Sequence, residues 1–154
     1  MIKIVEGNIL ESNADIIYHQ VNCMGVMGSG LAKQIKNKYP NVYKDYKKFC
    51  SQHKPEELLE QIYNSRYNEL NCICSVFGQL GYGTNKVQTN YDAVRKALLD
   101  SRRVLKDLYW QYPNCKLAFP YKMGCGLGGG NWDIVYKIIK EVFGDYDVTI
   151  YKLV

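Results

Sequence analysis

The apolar residues of this chain recur with two periods, and the changes between them mark its elements. "IKIVEG" is a short strand-like run closed by Gly7, and "DIIYHQVN" (15–22) is a second, rich in β-formers. From Leu31, "LAKQIKNKY" sets Leu31, Ile35 and Lys38 on one side with Ala32 near them, which predicts an amphipathic helix. Pro40 ends that helix or begins a new turn. "NVYKDYKKFC" reads as another short helix, with Val42, Tyr46 and Phe49 on one stripe. Residues 51–60 are polar and show no usable period. "QIYN" and "LNCICSVFG" read as two strands, joined as a hairpin across "SRYNE". "TNYDAVRKALLDSRRVLKDLYW" (89–110) is the longest helical pattern, with Thr89 or Asn90 as its cap and Val94, Leu98 and Leu105 on a broad apolar face. "CKLAFP" is a strand, "WDIVYKIIKEVF" a helix and "YDVTIYKLV" a final strand.

Strands and helices therefore alternate through most of the chain. That pattern predicts an α/β domain with a mixed, largely parallel sheet and helices on both faces. Neither a composition break nor an internal repeat divides residues 1–154, so one domain is expected.

Composition changes this picture little. Hydrophobic residues make up 47% and charged residues 23%, an ordinary globular balance. No apolar run is long enough to span a membrane, and the start of the chain lacks the pattern of a signal peptide. Six cysteines are present, but Cys72 and Cys74 alternate within an apolar strand and Cys23 and Cys125 sit in glycine loops. With no CxxC and only His19 and His53 as imidazoles, neither a zinc site nor a disulfide framework is expected. Reduced thiols fit a cytoplasmic location. The net charge of +5 favours anionic partners only weakly. Its densest group runs from Lys33 to Lys48, with Lys54 nearby. This reads first as a solvated helical face, with a polyanion surface or steering of a small anion as alternatives. The absence of an aromatic and basic recognition motif weighs against a nucleic-acid partner.

Candidate chemistry lies in two glycine loops. "VNCMGVMGSG" follows the second strand and "MGCGLGGGN" follows "CKLAFP"; each precedes a helix. In an α/β sheet such loops lie at the carboxyl ends of the strands, where ligands bind. Glycines let consecutive amides converge on phosphate oxygens, helped by the helix N-terminus that follows. Two such loops suit a ligand with linked phosphates. The P-loop ending GK[ST] is absent. "GCGLGG" (124–129) matches the dinucleotide fingerprint as a string, but it comes late and lacks the expected downstream acid.

Taken together, "VEGNIL", "HQVNCMGVMGSGLAKQIKNKYP", "TNYDAV", "PYKMGCGLGGGNWDIV" and "VTIYKL" resemble the macrodomain family, the ADP-ribose-binding fold, over nearly the whole chain. The likeness is closest to the branch with ADP-ribose-1''-phosphate phosphatases and glutamate-type ADP-ribose glycohydrolases. The resemblance implies a three-layer α/β/α domain that takes ADP-ribose or a derivative, needs no cofactor or metal and acts as a monomer. It places the adenine beside Asn8, where the family commonly has an aspartate, and beside Ile9. The distal ribose and a phosphate fall to Asn22, Gly28, Ser29 and Gly30, with Gln79 beneath the ribose. The diphosphate falls to Gly124, Cys125, Gly126, Leu127, Gly128 and Gly129.

For the reaction, the glycohydrolases of this branch use a lysine and an aspartate, where this chain has Gln79 and Gly128. The phosphatase-like members keep a histidine at the place of His19. His19, Asn22 and Asp133 are the candidate catalytic residues: His19 as acid/base or as a packed histidine, Asn22 to position ribose hydroxyls or water, and Asp133 as acid/base or as a favourable charge at a helix start. Cys23 and Cys125 have no paired base and read as loop packing. The resemblance thus implies hydrolysis at the distal ribose, with removal of the 1''-phosphate first. A reader without turnover and a de-ADP-ribosylating or deacylating hydrolase are the alternatives.

Overall fold

The computed structural model describes residues 1–108 and 114–153. In chain order the elements are β1 (Ile2–Glu6), a 3-10 turn (Ile9–Glu11), β2 (Ile16–Asn22), α1 (Gly30–Lys38), α2 (Pro40–Ser51), α3 (Pro55–Leu58), β3 (Ile62–Arg66), β4 (Cys72–Gln79), α4 (Tyr91–Leu108), β5 (Lys116–Pro120), α5 (Trp132–Phe143) and β6 (Asp147–Lys152). The strands form one sheet in the order β1-β6-β5-β2-β4-β3. All pairings are parallel except β3 with β4, the expected hairpin.

Alternation along the strands sends side chains to two helical layers. Tyr18, Cys74, Phe119 and Ile150 pack with Val94, Leu98, Ile138 and Phe143 under α4 and α5. Ile17, Ile73 and Ala118 pack on the other face with Ile35 and Val42 of α1 and α2. A third cluster joins Val21 and Phe77 to Met27, Tyr46, Cys50 and Leu58 beneath the first glycine loop. The result is a three-layer α/β/α sandwich. β2 is buried nearly throughout, including the polar His19 and Asn22, as befits a central strand covered on both faces.

Three local features differ from the pattern reading, and the start of α4 decides between its two expected caps. The polar stretch after Ser51 contains α3, a single turn begun by Pro55 and capped by exchange between Lys54 and Glu57. Cys50 is the third buried residue of α2, with Phe49 only partly covered. α4 starts at Tyr91 because Asn90 accepts from the Ala93 amide at 3.0 Å and acts as cap; Tyr109 and Trp110, expected in this helix, lie outside the described residues. β6 ends at Lys152, and Val154 also lies outside the described residues.

The ladder between β2 and β4 keeps register from Ile16↔Cys72 to Val21↔Phe77, then skips Gly78 so that Asn22 pairs with Gln79. This bulge falls at the carboxyl edge, where β2, β4 and β5 all release their chains on the same side. No helix is long and apolar enough to cross a membrane among the described residues.

Candidate functional site

A cleft of about 520 Å³ opens at this edge. Its walls are the first glycine loop with the start of α1, the second glycine loop, and the segment after β4 that carries Tyr82 and Gly83. His19, Gln20 and Gln79 form part of its lining. Among the described residues, Lys122 is the one formally charged side chain in the lining, which contains no carboxylate. Its volume is that of a site for a small-molecule ligand or cofactor.

Two groups of backbone amides are left for a ligand. Ser29 precedes α1 without a side-chain cap, and the amides of Gly30, Leu31 and Ala32 have no acceptor among the described residues. In the second loop the same holds for Gly126, Leu127 and Gly128. Unpaired amides at a helix start and in a glycine turn are where anions bind, through hydrogen bonds and the helix dipole together.

The first loop is organised by Asn22. Its side-chain oxygen accepts from the Met24 and Val26 amides at 2.9 and 3.3 Å, and its amide group donates to the Val26 carbonyl at 2.8 Å. The Tyr46 hydroxyl reaches in from α2, 2.8 Å from the Asn22 carbonyl and 3.0 Å from its side-chain oxygen. Cys23 closes the other side, its amide on the Leu80 carbonyl at 3.0 Å and its thiol on the Gln79 carbonyl at 3.3 Å. Burial pushes that thiol up to about 12, so at neutral pH it is a packing group and not a thiolate. The Cys125 thiol is also raised by burial.

The second loop is held from behind. Gln88 and Thr89 give their amides to the Gly128 carbonyl at 2.8 and 3.1 Å, and Gly130 gives its own to the Gly124 carbonyl at 2.9 Å. A side-chain chain then links two walls. Gln79 donates to the Gly81 carbonyl at 2.7 Å, Gln20 donates to Gln79 at 2.8 Å and to Thr89 at 2.9 Å, and Thr89 donates to the Gly124 carbonyl at 2.6 Å. The fit leaves no room at three glycines of this loop, Gly124, Gly128 and Gly130. A Cβ at Gly124, whose φ is +74°, would sit 2.4 Å from the Gln20 oxygen; one at Gly128 would sit 2.7 Å from the Gly124 carbonyl.

His19 lies on the α1 face of the sheet, 2% exposed, with Nε2 3.4 Å from the Ser75 hydroxyl and Nδ1 without a partner. Burial lowers its pKa to about 4, so it is a neutral imidazole at physiological pH. It lines the cleft together with Asn22, Gly28, Ser29, Gly30, Gln79, Gly124, Gly126, Leu127 and Gly128. Five sequence candidates are absent from the lining: Asn8, Ile9, Asp133, Cys125 and Gly129. The Asn8 side chain caps the 3-10 turn by accepting from the Leu10 amide at 3.0 Å. Asp133 gives its amide to the Asn131 cap of α5 at 2.9 Å, the helix-start placement expected of a favourable charge.

The Macro domain family model matches residues 18–139, which takes in both glycine loops and the strands beneath them. The chain belongs to the Macro domain family. This macrodomain is 30% identical to an ADP-ribose 1''-phosphate phosphatase of Saccharomyces cerevisiae, over 99% of this chain and 98% of the relative. It is 27% identical to a DNA ADP-ribosyl glycohydrolase of Mycobacterium tuberculosis over 98% of this chain, but spans only 42% of that relative's length. Among solved structures, the macrodomain of Mycobacterium tuberculosis DarG superposes with a TM-score of 0.80 at 26% identity, covering 98% of this chain and 97% of that one.

Pattern reading missed Gln20, Thr89, Tyr46 and Lys122 of the macrodomain site. Only Gln20 left a signal, as a polar residue inside an apolar strand whose neighbours are buried. Tyr46 and Thr89 meet their partners across 24 to 69 positions of sequence.

Proposed function

We propose that this macrodomain binds ADP-ribose or a derivative in the cleft and hydrolyses a substituent at its distal ribose, with the 1''-phosphate as the favoured leaving group. The observation that carries this reading is the pair of unpaired amide sets, Gly30–Ala32 and Gly126–Gly128, in a cleft with no lining carboxylate. Such a cleft suits a ligand with several phosphate charges and opposes none of them. The phosphatase relative, matched end to end, supports the choice of the 1''-phosphate. The adenine would extend past Tyr121 toward Asn8 and Ile9. Tyr121 donates to the Tyr151 carbonyl at 2.9 Å, and the Tyr151 ring lies beside Gly7, so these groups are contiguous.

In the reaction, water attacks phosphorus, the bond from phosphorus to the ribose oxygen breaks, and that oxygen leaves as a hydroxyl. Loop amides hold the phosphoryl oxygens as charge shifts among them. His19 is the cleft's candidate proton acceptor. A bound phosphate raises the affinity of an adjacent imidazole for a proton, opposing the effect of burial. Asn22 holds the first loop in its binding shape.

A second reading, a reader without turnover, is favoured by one observation: the catalytic candidates are buried or already bonded, His19 at 2% exposure and Asn22 within its own loop. The test is calorimetry with ADP-ribose followed by incubation with ADP-ribose-1''-phosphate, O-acetyl-ADP-ribose and mono-ADP-ribosylated glutamate. Phosphate release that disappears in His19→Ala, with ligand binding retained, is the expected result. Binding without turnover selects the reader. No binding at millimolar ADP-ribose removes both readings.

A further inference from the structure

The basic charge of this protein is not spread over its surface. Six of the twenty basic residues and one of the fifteen acids fall within Gly30–Ser51, the span of α1 and α2, which leaves the rest of the chain balanced at fourteen of each sign. The whole formal charge of +5 therefore resides on two adjacent helices.

The lysines concerned are Lys33, Lys36, Lys38, Lys44, Lys47 and Lys48, all exposed. None forms an ion pair among the described residues. The contrast with α4 is direct: its Arg95, Lys96, Arg102 and Arg103 all face carboxylates, Glu141, Asp92 and Glu60, Asp145, and Asp100 with Asp107. The single acid on the two basic helices, Asp45, is engaged by the Ser65 hydroxyl at 2.7 Å. On α2, Lys44, Lys47 and Lys48 recur at spacings of three and four and share the face opposite buried Val42, Tyr46 and Cys50. Lys36 of α1 and Lys47 of α2 approach the same Tyr43 ring, at 4.4 and 5.8 Å from its centroid. The two ammonium groups are thus no more than about 10 Å apart, roughly one screening length at moderate salt, and act on a ligand together.

We propose that the α1–α2 face binds the phosphate backbone of a nucleic-acid strand, without reading its sequence. Lysines are point charges suited to phosphates, and backbone binding needs little else. The same face lacks what other polyanionic surfaces require. None of the exposed large apolar residues belongs to α1 or α2, so it has neither the anchors of a protein interface nor the side chains that enter a bilayer. The face starts at the lip of the cleft, since Leu31 and Ala32 line it and Lys33 follows. This inference stands independently of what the cleft holds.

The test is fluorescence anisotropy of the full chain with a labelled single-stranded oligonucleotide of mixed sequence, titrated from low to physiological salt. If about four lysines engage phosphates, the logarithm of the binding constant falls against the logarithm of salt with a slope of about −3. The triple variant Lys36→Gln, Lys44→Gln, Lys48→Gln weakens binding about tenfold or more and flattens the slope by about 2. A control with Lys96→Gln and Arg103→Gln on α4 leaves both unchanged. Absence of binding at low salt, or equal losses in the α4 control, overturns the proposal. So does equally tight binding of polyglutamate or of phosphatidylserine vesicles, which would make the face a general anion surface.

Discussion

The first glycine loop is fixed from within by the side chain of Asn22, whereas the second is fixed from behind by contacts to its own carbonyls. Both present unpaired amides to the same cleft. In the first loop the glycines mostly have space around them: a Cβ at Gly30 meets nothing within 4 Å, and one at Gly28 meets only the Val26 side chain at 3.7 Å. In the second, Gly124, Gly128 and Gly130 would each place a Cβ below 3.0 Å from a neighbour. Similar composition therefore serves two constructions. One loop depends on a polar keystone, and the other on the absence of side chains where three backbones meet.

This difference can be broken experimentally. Asn22→Ala should have the largest effect, because it removes the partners of two amides and a carbonyl, and one of the two acceptors of the Tyr46 hydroxyl, in a largely buried place. A loss of about 3 kcal/mol in urea unfolding is expected. Gly128→Ala should cost about 2 kcal/mol and reduce ADP-ribose affinity at least tenfold by calorimetry, since backbone must shift to admit the methyl. An effect on affinity alone would mean that the loop yields more readily than its packing implies.

His19 gives a smaller effect with a defined sign. Its folded pKa of about 4 lies below the ordinary 6.5, so the unfolded chain takes up the proton first as pH falls. The stabilising contribution is complete above about 6.5 and is lost as pH drops toward 4. Between pH 7 and 5.5 wild type should lose about 1 kcal/mol that a His19→Asn variant does not lose. Parallel pH profiles for the two proteins would show that His19 is reached by water in the folded state. Smallest of all should be Gly126→Ala. A Cβ there meets nothing within 4 Å and φ is not in the left-handed region, so stability should change by less than about 0.5 kcal/mol. A loss as large as that of Gly128→Ala would erase the distinction between crowded and open glycines in this loop.

Much of the sandwich was legible because its elements are long relative to one period. The helix read from "WDIVYKIIKEVF" matches α5 at both ends, where Asn131 caps it and Gly144 closes it. The β3–β4 hairpin followed from two apolar runs around a polar turn. α3 was not legible, since a four-residue helix offers no second turn on which a period could register. At the site, the glycines announced the loops but not how they are braced. Thr89 was seen only as a helix cap, yet its hydroxyl lies on the Gly124 carbonyl 35 positions away. Gln79 was placed by family likeness beneath a ribose; its amide proves to be tied to Gly81 and Gln20. Such long-range pairings carry no local pattern. The lysine cluster was visible as a run, but its meaning depended on ion pairs that form on α4 and not on α1–α2.

The skipped rung at Gly78 bears on how this chain tolerates changes in length. Deleting that residue would make the β2–β4 ladder regular to its end, with Gln79 next in line after Phe77. Gln79 would then inherit a position where a Cβ lies 2.6 Å from the Val94 side chain and 3.0 Å from Gln20. The shorter, more orderly strand would thus collide with α4 and withdraw its last side chain from the cleft. An irregularity of one residue is what lets a fully packed strand end in an open site, and an alignment that closes this gap would misplace every position of the wall beyond it.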